Sequence, residues 1–339
     1  MNQVSVIILS WNSLFYLQKF IPALKANTPT DIADIIIVDN ASSDGTVEWL
    51  SAEHPDLVLK VLDRNYGYAG GYKIAIDSIT TRYVVLLNSD VEVTPGWIEQ
   101  LTCFMELHPM AGAVAPKIRS YSDREAFEYA GAAGGWIDRY GYPFSRGRIF
   151  NSIERDNGQF DQPSRVFWAS GACLMVRTEA YRISGQLDPL FFAHMEEIDL
   201  CWRMHSHGYE VWYQPDSLIF HVGGGALPNE SPHKLYLNFR NNLLLLRKNL
   251  PPHLQKRTLF IRKILDGVAA LQYLLKGKPA FFMAVLKAHR DFNKLWKKEY
   301  SNFSSPAHPT PQRLEGWYPK SIVAAFYISG KRKFSDLKG

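Results

Sequence analysis

Three acidic residues lie close enough together in the sequence to act jointly in catalysis. Glu196, Glu197 and Asp199 fall within four positions. On a helix Glu196 and Asp199 would share one face, and Arg203, one turn further on, could pair with Asp199. Carboxylates held together in a poorly solvated cleft raise one another's pKa, which suits a general base. The apolar residues on both sides disfavour the alternative, a solvated acidic helix start.

Other polar residues follow short apolar runs that are typical of buried strands. Asp39 ends one run and Asp90 follows another, so both would lie at the same edge of a parallel sheet. There Asp39 could accept the N–H of a pyrimidine base, and Asp90 could bind a divalent cation together with substrate phosphates. His221 follows a further run and could be a second metal ligand. The structural alternatives are a turn for Asp39, a helix cap for Asp90 and a core histidine for His221.

A glycine-rich turn lies between two of these runs, with Asn65 near its start and Gly70 and Gly71 at its end. Its glycines would let the backbone approach a ligand closely, and a plain turn is the alternative. The Gly-x-x-Gly-Gly spacing, placed after the third predicted strand instead of the first, differs from the dinucleotide fingerprint. A nicotinamide-dependent dehydrogenase is therefore disfavoured.

The elements that would position these residues alternate between strand and helix. The apolar runs that predict strands cover residues 4–9, 35–38, 58–62 and 83–87. Helical spacing or composition is found between them, over residues 12–26, 46–53 and 72–78. This order predicts a doubly wound α/β sheet that binds its ligands beyond the carboxyl ends of the strands.

The pattern changes after these elements. Residues 117–163 are rich in glycine, aromatic and charged residues, which predicts long loops over the sheet. Regular structure is predicted again over 166–176 and, as a helix, over 198–208. Two apolar stripes at helical spacing follow, formed by Phe260, Ile264, Val268, Leu271 and Leu275 and by Phe281, Val285, Ala288, Phe292 and Leu295.

The charge of the 339-residue chain divides near residue 233. Residues 1–233 hold 17 Lys and Arg against 28 Asp and Glu, whereas residues 234–339 hold 21 against 5. We therefore predict a catalytic domain over 1–233 and a basic helical region over 234–339. Basic amphipathic helices with aromatic anchors such as Trp296 are typical of proteins on an anionic membrane surface, and ordinary helix packing is the alternative. No nucleic-acid recognition motif accompanies this charge, so no nucleic-acid partner is expected.

Composition narrows the class of protein further. With 46% hydrophobic and 21% charged residues, most of the chain cannot be disordered. Three widely spaced cysteines indicate a reducing compartment. The N-terminal apolar run has no basic n-region and is typical of a strand, not a signal peptide, and no run reaches the roughly 18 residues of a transmembrane helix. We expect a cytoplasmic protein, peripheral on the inner face of the plasma membrane.

Taken together, these segments resemble glycosyltransferase family 2, the inverting enzymes of GT-A fold, and within it the bacterial rhamnosyltransferase-like branch. They occur in the family's order over about residues 3–225, and Arg240 and Asn241 are a weaker match further along the chain. The segments that carry the resemblance are residues 4–12, 38–46, 65–71, 87–90, 171–175 and 196–200, and His221.

The resemblance implies a GT-A doubly wound, mostly parallel sheet and a nucleotide-diphosphate sugar donor, either a dTDP-sugar or a UDP-sugar. The donor-binding positions it implies are Asn12, Asp39, Asn65, Gly70, Gly71, Asn88 and Asp90. It also implies Mg²⁺ or Mn²⁺ held by Asp90 and His221, which would stabilise the charge on the leaving diphosphate. The narrower likeness favours dTDP-rhamnose as the donor.

The acidic segment would supply the base that takes a proton from an acceptor hydroxyl as it attacks the anomeric carbon, which inverts that carbon. The resemblance aligns the base with Glu197, and Glu196 is the alternative. Asp199, Arg203 and Trp168 would support the acceptor side or the structure. The expected acceptor is a cell-surface polysaccharide or a lipid-linked oligosaccharide.

The sequence departs from the family pattern at two places. The metal motif is often Asp-x-Asp, but here Asn88 takes the first position and leaves Asp90 as its one carboxylate. The acidic motif is usually Glu-Asp, and here it is Glu196-Glu197. These departures motivate an alternative function, a catalytically impaired nucleotide-sugar-binding or scaffold protein of polysaccharide assembly.

Overall fold

A computed structural model describes residues 2–129, 131–223, 231–300 and 311–337. Its first part alternates as predicted, with β1 (Val4–Ser10), α1 (Leu14–Asn27), β2 (Ala33–Asp39), α2 (Thr46–Glu53), β3 (Val58–Val61), α3 (Gly67–Asp77) and β4 (Tyr83–Asn88). The chain continues through β5 (Val91–Val93), α4 (Trp97–Leu107), β6 (Ala111–Ser120), β7 (Gly135–Asp138), β8 (Pro143–Ser145), β9 (Arg148–Ile149), β10 (Ser152–Ile153), β11 (Ser164–Arg165), β12 (Cys173–Arg177) and α5 (Thr178–Ile183). The last elements are α6 (Glu196–Ser206), β13 (Glu210–His221), α7 (Pro232–Asn249), α8 (Pro252–Leu275), α9 (Pro279–Glu299), β14 (Trp317–Tyr318) and α10 (Ile322–Tyr327).

The central sheet has the strand order β11-β13-β6-β12-β4-β1-β2-β3, and β5 pairs with β13. Strands β4, β1, β2 and β3 are mutually parallel, as predicted, and β6 is parallel to β13. Strand β12 is antiparallel to both of its neighbours, so the sheet is mixed. The register places Ser10 opposite Asp39 and Leu9 opposite Asn88. The carboxyl ends of β1, β2 and β4 therefore meet at one edge.

The apolar runs form strands because both faces of the sheet are covered. Successive side chains of a strand point to opposite faces. Accordingly Ile7 belongs to the hydrophobic cluster on one face, and Val6 and Ile8 belong to the cluster on the other. All three are almost completely buried, which explains why β1 has a continuous apolar sequence in place of an alternating one.

The prediction of long loops over residues 117–163 is wrong for much of that range. Strand β6 extends to Ser120, and β7 to β10 form a second sheet that β14 completes by pairing in parallel with β7. These strands are two to four residues long, too short to produce a visible periodicity. Over residues 166–176 the structure has a strand only from Cys173, and α6 begins at Glu196, two residues before the predicted start.

The two apolar stripes of the C-terminal helices differ in their exposure to solvent. In α9, Val285, Ala288 and Phe292 are buried. The α8 stripe points to solvent, with Phe260 67% and Leu275 80% exposed. Helix α7 adds its leucines at 243–246 to the main core cluster, so it packs as part of the sheet's own core. The division into domains at residue 233 stays a prediction.

Two expectations about membrane contact can be compared with these helices. Trp296, the expected aromatic anchor, is half-buried and stacks on Tyr300 with 4.9 Å between ring centroids. This ring is therefore engaged with the protein. In the part of the chain that the structure describes, every helix is too short or too polar to cross a bilayer.

Candidate active site

A cavity of about 520 Å³ lies at the edge of the sheet where the parallel strands end. The sequence-predicted residues that line it are Asn65, Asn88, Asp90, Glu196, Glu197 and His221. The predicted residues that lie outside its lining are Asn12, Asp39, Gly70, Gly71, Trp168, Asp199 and Arg203. The structure thus brings the predicted metal ligands and the predicted base into one cavity.

Asp90 and His221 form a buried pair. The last residues of β13 pair with β5, which places His221 beside Asp90, with 3.1 Å between Asp90 Oδ1 and His221 Nε2. Glu128, which the sequence did not reveal, lies on the other side of the ring, with its Oε1 3.4 Å from His221 Nδ1. Burial alone would lower the pKa of His221, but the carboxylates of Glu128 and Asp90 outweigh it and raise this pKa to about 10.

The donor set of this pair fits a divalent cation that shares its coordination with a ligand. Among the described residues, no group of three or more His, Cys, Asp and Glu side chains could hold a metal by itself. Asp90 offers a carboxylate oxygen, and His221 offers an imidazole nitrogen once a bound cation displaces its proton. Mg²⁺ and Mn²⁺ commonly take their remaining ligands from substrate phosphates and water. Asn88, whose Nδ2 lies 3.4 Å from His221 Nε2, adds no charge.

Glu196 and Glu197 begin α6, directly after an unusual backbone segment. Phe192, His194 and Met195 have φ of 64°, 71° and 74°, a left-handed conformation that is costly for residues other than glycine. Glu196 is buried and Glu197 is half-buried. In the described structure, Oε2 of each glutamate is buried without a hydrogen-bond partner. Buried polar atoms rarely lack partners, so these atoms indicate the place of a ligand.

The two carboxyl groups have raised pKa values. Burial raises the pKa of Glu196 well above its usual range, and the charge of Glu197 adds to the effect. Burial raises the pKa of Glu197 to about 7, against backbone N–H groups at the helix start that favour the ionised form. A base works best when its pKa lies near the working pH. Glu197 meets this condition better than Glu196.

Helix α7 holds the segment that precedes the two glutamates. Asn241, which is completely buried, directs Nδ2 at the carbonyl oxygens of Phe191, Ala193 and His194 at 2.7–2.8 Å. Arg240 donates to the carbonyl oxygens of Leu190 and Phe191. In the sequence these two residues are only a weaker part of the resemblance, because a polar residue within a helix carries no pattern that shows it to be buried.

Asp199 and Arg203 form an ionic network away from the cavity. Asp199 Oδ2 accepts from Arg203 Nε and Lys248 Nζ, each at 2.9 Å, and Oδ1 accepts from Asn249 Nδ2 at 2.8 Å. Despite burial, these partners lower the pKa of Asp199 to about 2. Arg203 also donates to the carbonyl oxygen of Gln186. The network ties α6 to α7.

Asp39 and Asn12 organise the loops after β2 and β1. Asp39 is completely buried, and its Oδ2 accepts from the backbone N–H of Ser42 at 2.9 Å. Its Oδ1 is buried without a hydrogen-bond partner in the described structure. Asn12 joins the two loops, since its Oδ1 accepts from the backbone N–H of Ser43 at 2.8 Å. The free oxygen of Asp39 is the feature of this region that can recognise a ligand.

The glycines of the turn serve protein packing. A Cβ at Gly71 would come within 2.7 Å of the Leu9 side chain, so this glycine lets α3 lie closely on β1. A Cβ at Gly70 would be 3.0 Å from that of Tyr66. These contacts give both glycines a role in packing, and the expectation that they bring the backbone close to a ligand stays a prediction. Asn65, at the cavity, accepts from the backbone N–H of Gly67 at 2.7 Å.

The side chain of Trp168 packs against other parts of the protein. Its Nε1 donates to the carbonyl oxygen of Trp136 at 2.9 Å, and its ring covers Gly135 so closely that a Cβ there would lie 2.1 Å away. It therefore joins the two sheets behind the cavity. The other catalytic, donor-binding and metal-binding roles given to residues of this site stay predictions.

A mixed sheet that gathers an Asp-His pair and two carboxyl groups in one cavity at its edge fits the GT-A glycosyltransferase fold that the sequence resemblance implies. Comparison with known proteins agrees with this class. The chain belongs to glycosyl transferase family 2, whose family model matches residues 5–182.

Relatives at low identity point to the same class. The chain is 26% identical over 234 residues to an N-acetylglucosaminyl-diphospho-decaprenol L-rhamnosyltransferase of Mycobacterium tuberculosis, across 64% of this chain and 75% of that protein. It is also 26% identical over 234 residues to the dTDP-rhamnosyl transferase RfbF of Shigella flexneri, across 64% of this chain and 72% of that one. The chain is thus rhamnosyltransferase-like.

A solved structure shows the same fold. The structure of GalNAc-T7 with UDP, GalNAc and Mn²⁺ superposes on 92% of this chain with a TM-score of 0.59 and 16% identity. This chain spans about three fifths of the length of that protein, 59%. At this identity the likeness concerns the fold alone.

Proposed function

We propose that this protein is an inverting glycosyltransferase that transfers a sugar, rhamnose in particular, from a nucleoside diphosphate to a hydroxyl group of a lipid-linked or cell-surface glycan. The observation that carries the proposal is the content of one cavity. It holds the Asp90–His221 pair, which suits a cation and a diphosphate, and two carboxyl groups with unpartnered buried oxygens. Donor and base chemistry are thus available side by side.

In this proposal Glu197 is the base. Its carboxylate takes the proton of the acceptor hydroxyl as the oxygen forms a bond to the anomeric carbon. The bond from that carbon to the diphosphate oxygen breaks on the opposite side, and its electron pair leaves with the nucleoside diphosphate. With a pKa of about 7, Glu197 is ionised in a large part of the molecules at neutral pH. Burial and the charge of Glu197 raise the pKa of Glu196 as well, which favours its protonated form beside an ionised Glu197.

The Asp90–His221 pair would hold Mg²⁺ or Mn²⁺ when the donor is bound. The cation would supply positive charge that stabilises the departing diphosphate. The buried contact between Asp90 and His221 keeps both side chains in place before any ligand arrives. Glu128, on the far side of the ring, supports the orientation of His221 in the manner of an outer carboxylate.

A thymine or uracil base is the preferred occupant near Asp39. The unpartnered, buried Oδ1 of Asp39 can accept the N3–H that both bases carry. The name of the Shigella relative specifies a dTDP-rhamnosyl donor, which favours dTDP-rhamnose here. The name of the Mycobacterium relative specifies a diphospho-decaprenol acceptor, which favours a lipid-linked acceptor and a peripheral location at the cytoplasmic membrane surface.

Two measurements test the proposal. Thermal unfolding with uridine, thymidine, guanosine and adenosine diphosphates, each with and without Mn²⁺, should show a metal-dependent rise in Tm for the pyrimidine nucleotides. The Glu197→Gln variant should keep this rise and lose transfer. Glu179→Gln, which changes an exposed acid in the first turn of α5, is the matched control and should retain transfer.

Either part can fail separately. Near-normal transfer by Glu197→Gln would refute the assignment of the base, and Glu196→Gln would then identify the alternative. A pyrimidine-specific rise in Tm without transfer or donor hydrolysis by the wild-type protein would support the alternative function, a nucleotide-sugar-binding scaffold.

A further inference from the structure

We propose that one side of α8 docks the protein on a bilayer that contains anionic lipids. This surface, the α8 face, consists of Phe260, Ile264, Val268, Leu271 and Leu275. The inference deepens the peripheral location proposed above and rests on it, but it needs no catalytic activity. The α8 face lies outside the cavity lining.

The α8 face is a continuous apolar strip. Its five side chains are between 52% and 80% exposed. They recur every three or four residues and so lie on one side of the helix, over a length of about 22 Å at about 1.5 Å per residue. Contiguous apolar surface of this kind marks an interaction site.

The opposite side of α8 fixes which way the helix faces. Arg262 and Asp266 are buried there, with 2.7 Å between Arg262 Nε and Asp266 Oδ1. His289 of α9 lies against the other oxygen, with 3.0 Å between its Nε2 and Asp266 Oδ2. Rotating α8 to bury its apolar strip would pull this ionic network out of the interior. The strip is therefore held toward solvent by the protein's own contacts.

The charges around the α8 face select the kind of partner. Exposed basic residues stand at both ends of the strip, Lys256 and Arg257 at one end and Lys276 and Lys278 at the other. The single acid among residues 252–278 is Asp266, which is buried. An apolar strip with basic ends and no exposed acid complements an anionic lipid surface, where the apolar side chains enter the interface and the lysines meet headgroups.

The same charges disfavour a second copy of this chain as the partner. In a parallel pairing of two α8 faces, each basic end would meet the same basic end of the other copy. In an antiparallel pairing, Lys256 and Arg257 would meet Lys276 and Lys278. Like charges would oppose one another in both arrangements, whereas anionic lipids neutralise all four.

The test is cosedimentation of the full chain with vesicles of phosphatidylcholine, with and without phosphatidylglycerol. Wild-type protein should sediment only with the anionic vesicles, and less as salt is added. Leu271→Glu should lower the vesicle partition coefficient at least tenfold. Leu107→Glu is the matched control, because Leu107 of α4 is also exposed, and it should bind as wild type. Both variants should keep the Tm and the nucleotide-dependent rise in Tm.

A second pair of variants tests the charges. Reversing Lys256 and Arg257 to glutamate should abolish sedimentation, and reversing Lys19 and Lys25 of α1, an equal change in net charge, should not. Equal binding of wild type and Leu271→Glu would overturn the proposal. So would absence of binding, or a wild-type dimer in solution that Leu271→Glu dissociates, which would make the face a contact between copies. Loss of docking with the nucleotide response intact would leave the proposed transfer standing.

Discussion

Asn241 holds the segment before the glutamate pair through a single amide group, and replacing it should impair turnover more than donor binding. Its Nδ2 lies 2.7–2.8 Å from three backbone carbonyl oxygens, those of Phe191, Ala193 and His194. The backbone they fix contains three residues with positive φ directly before α6. We therefore expect Asn241→Ala to let this segment relax and to misplace Glu197.

The size of the effect can be worked from these contacts. The three carbonyl oxygens share the two N–H groups of one amide, so a net loss of about 1 kcal/mol per hydrogen bond gives about 2 kcal/mol, and burying carbonyl groups without donors adds to it. Strained backbone costs about 1–3 kcal/mol per residue, so the segment gains by relaxing once it is released. A misplacement of about 1 Å at a catalytic group costs about 100-fold in rate. Because the leucines at 243–246 stay buried, α7 should still pack.

The assay is kcat for sugar transfer, alongside Tm and its rise with nucleoside diphosphate and Mn²⁺. Asn241→Asp, of equal size but unable to donate from its carboxylate, should lose kcat like Asn241→Ala. Asn238→Ala is the control on the same helix, since among the described residues Asn238 donates to the carbonyl oxygen of Lys234 in its own helix. Wild-type kcat in a folded Asn241→Ala protein would refute the reasoning. An equal loss of nucleotide binding and kcat would refute it too.

The remaining predictions concern buried charges. Burial raises the pKa of Glu197 to about 7, and the base must be ionised to act. We therefore expect kcat/KM to rise about tenfold per pH unit below pH 7 and to level off above it. A flat pH profile would contradict the assignment of Glu197 as the base. Asp90→Asn should abolish the Mn²⁺-dependent part of the nucleotide response in Tm, and a full response would remove Asp90 from the metal site. Asp199→Asn should lower the free energy of unfolding by about 3–5 kcal/mol in urea titrations. The reason is that the buried cations Arg203 and Lys248 lose a shared counter-charge. A loss below about 1 kcal/mol would contradict this prediction.

The first part of the fold could be predicted because local sequence determines it. Each strand from β1 to β4 is short, apolar and followed by polar residues, and a parallel arrangement then places all their carboxyl ends together. Asp90 and the cavity edge follow from that geometry without any long-range information. The positions of Glu196 and Glu197 could be predicted for a similar reason, since a helix start concentrates acids.

Other parts of the site depend on contacts between segments far apart in the sequence. The second sheet is completed by β14, which pairs with β7 about 180 residues earlier. No local sequence pattern indicates a pairing between strands so far apart. Glu128 lies in an irregular segment, and its place in the site is recognised from its contact with His221. At Gly71 the sequence leaves two roles open, because a glycine that permits close helix packing and one that admits a ligand look the same in a sequence.

The two C-terminal apolar stripes show what periodicity can and cannot tell. Both have helical spacing, so both predict amphipathic helices, and both helices exist. Periodicity does not say what covers an apolar side. Protein covers it in α9, whereas in α8 the buried pair of Arg262 and Asp266 occupies the inner side and turns the stripe outward. The signal that could have indicated this is the spacing of Arg262 and Asp266 by one helical turn, opposite the apolar stripe, with Asp266 the one acid among residues 252–278.

Charge and packing divide the chain at different places. Net charge changes sign near residue 233, where α7 begins at Pro232. Side chains of α7 nevertheless contact the acidic part of the chain that precedes it. Its first turn contributes His233 and Lys234 to the cavity, its middle fixes the segment before Glu196 through Asn241, and its last turn neutralises Asp199 through Lys248. The basic region therefore supports the active site with α7, while Lys256 and Arg257 of α8 stay at the surface. A chain arranged in this way can hold the carboxyl groups of the cavity in place and still expose a separate, positively charged surface.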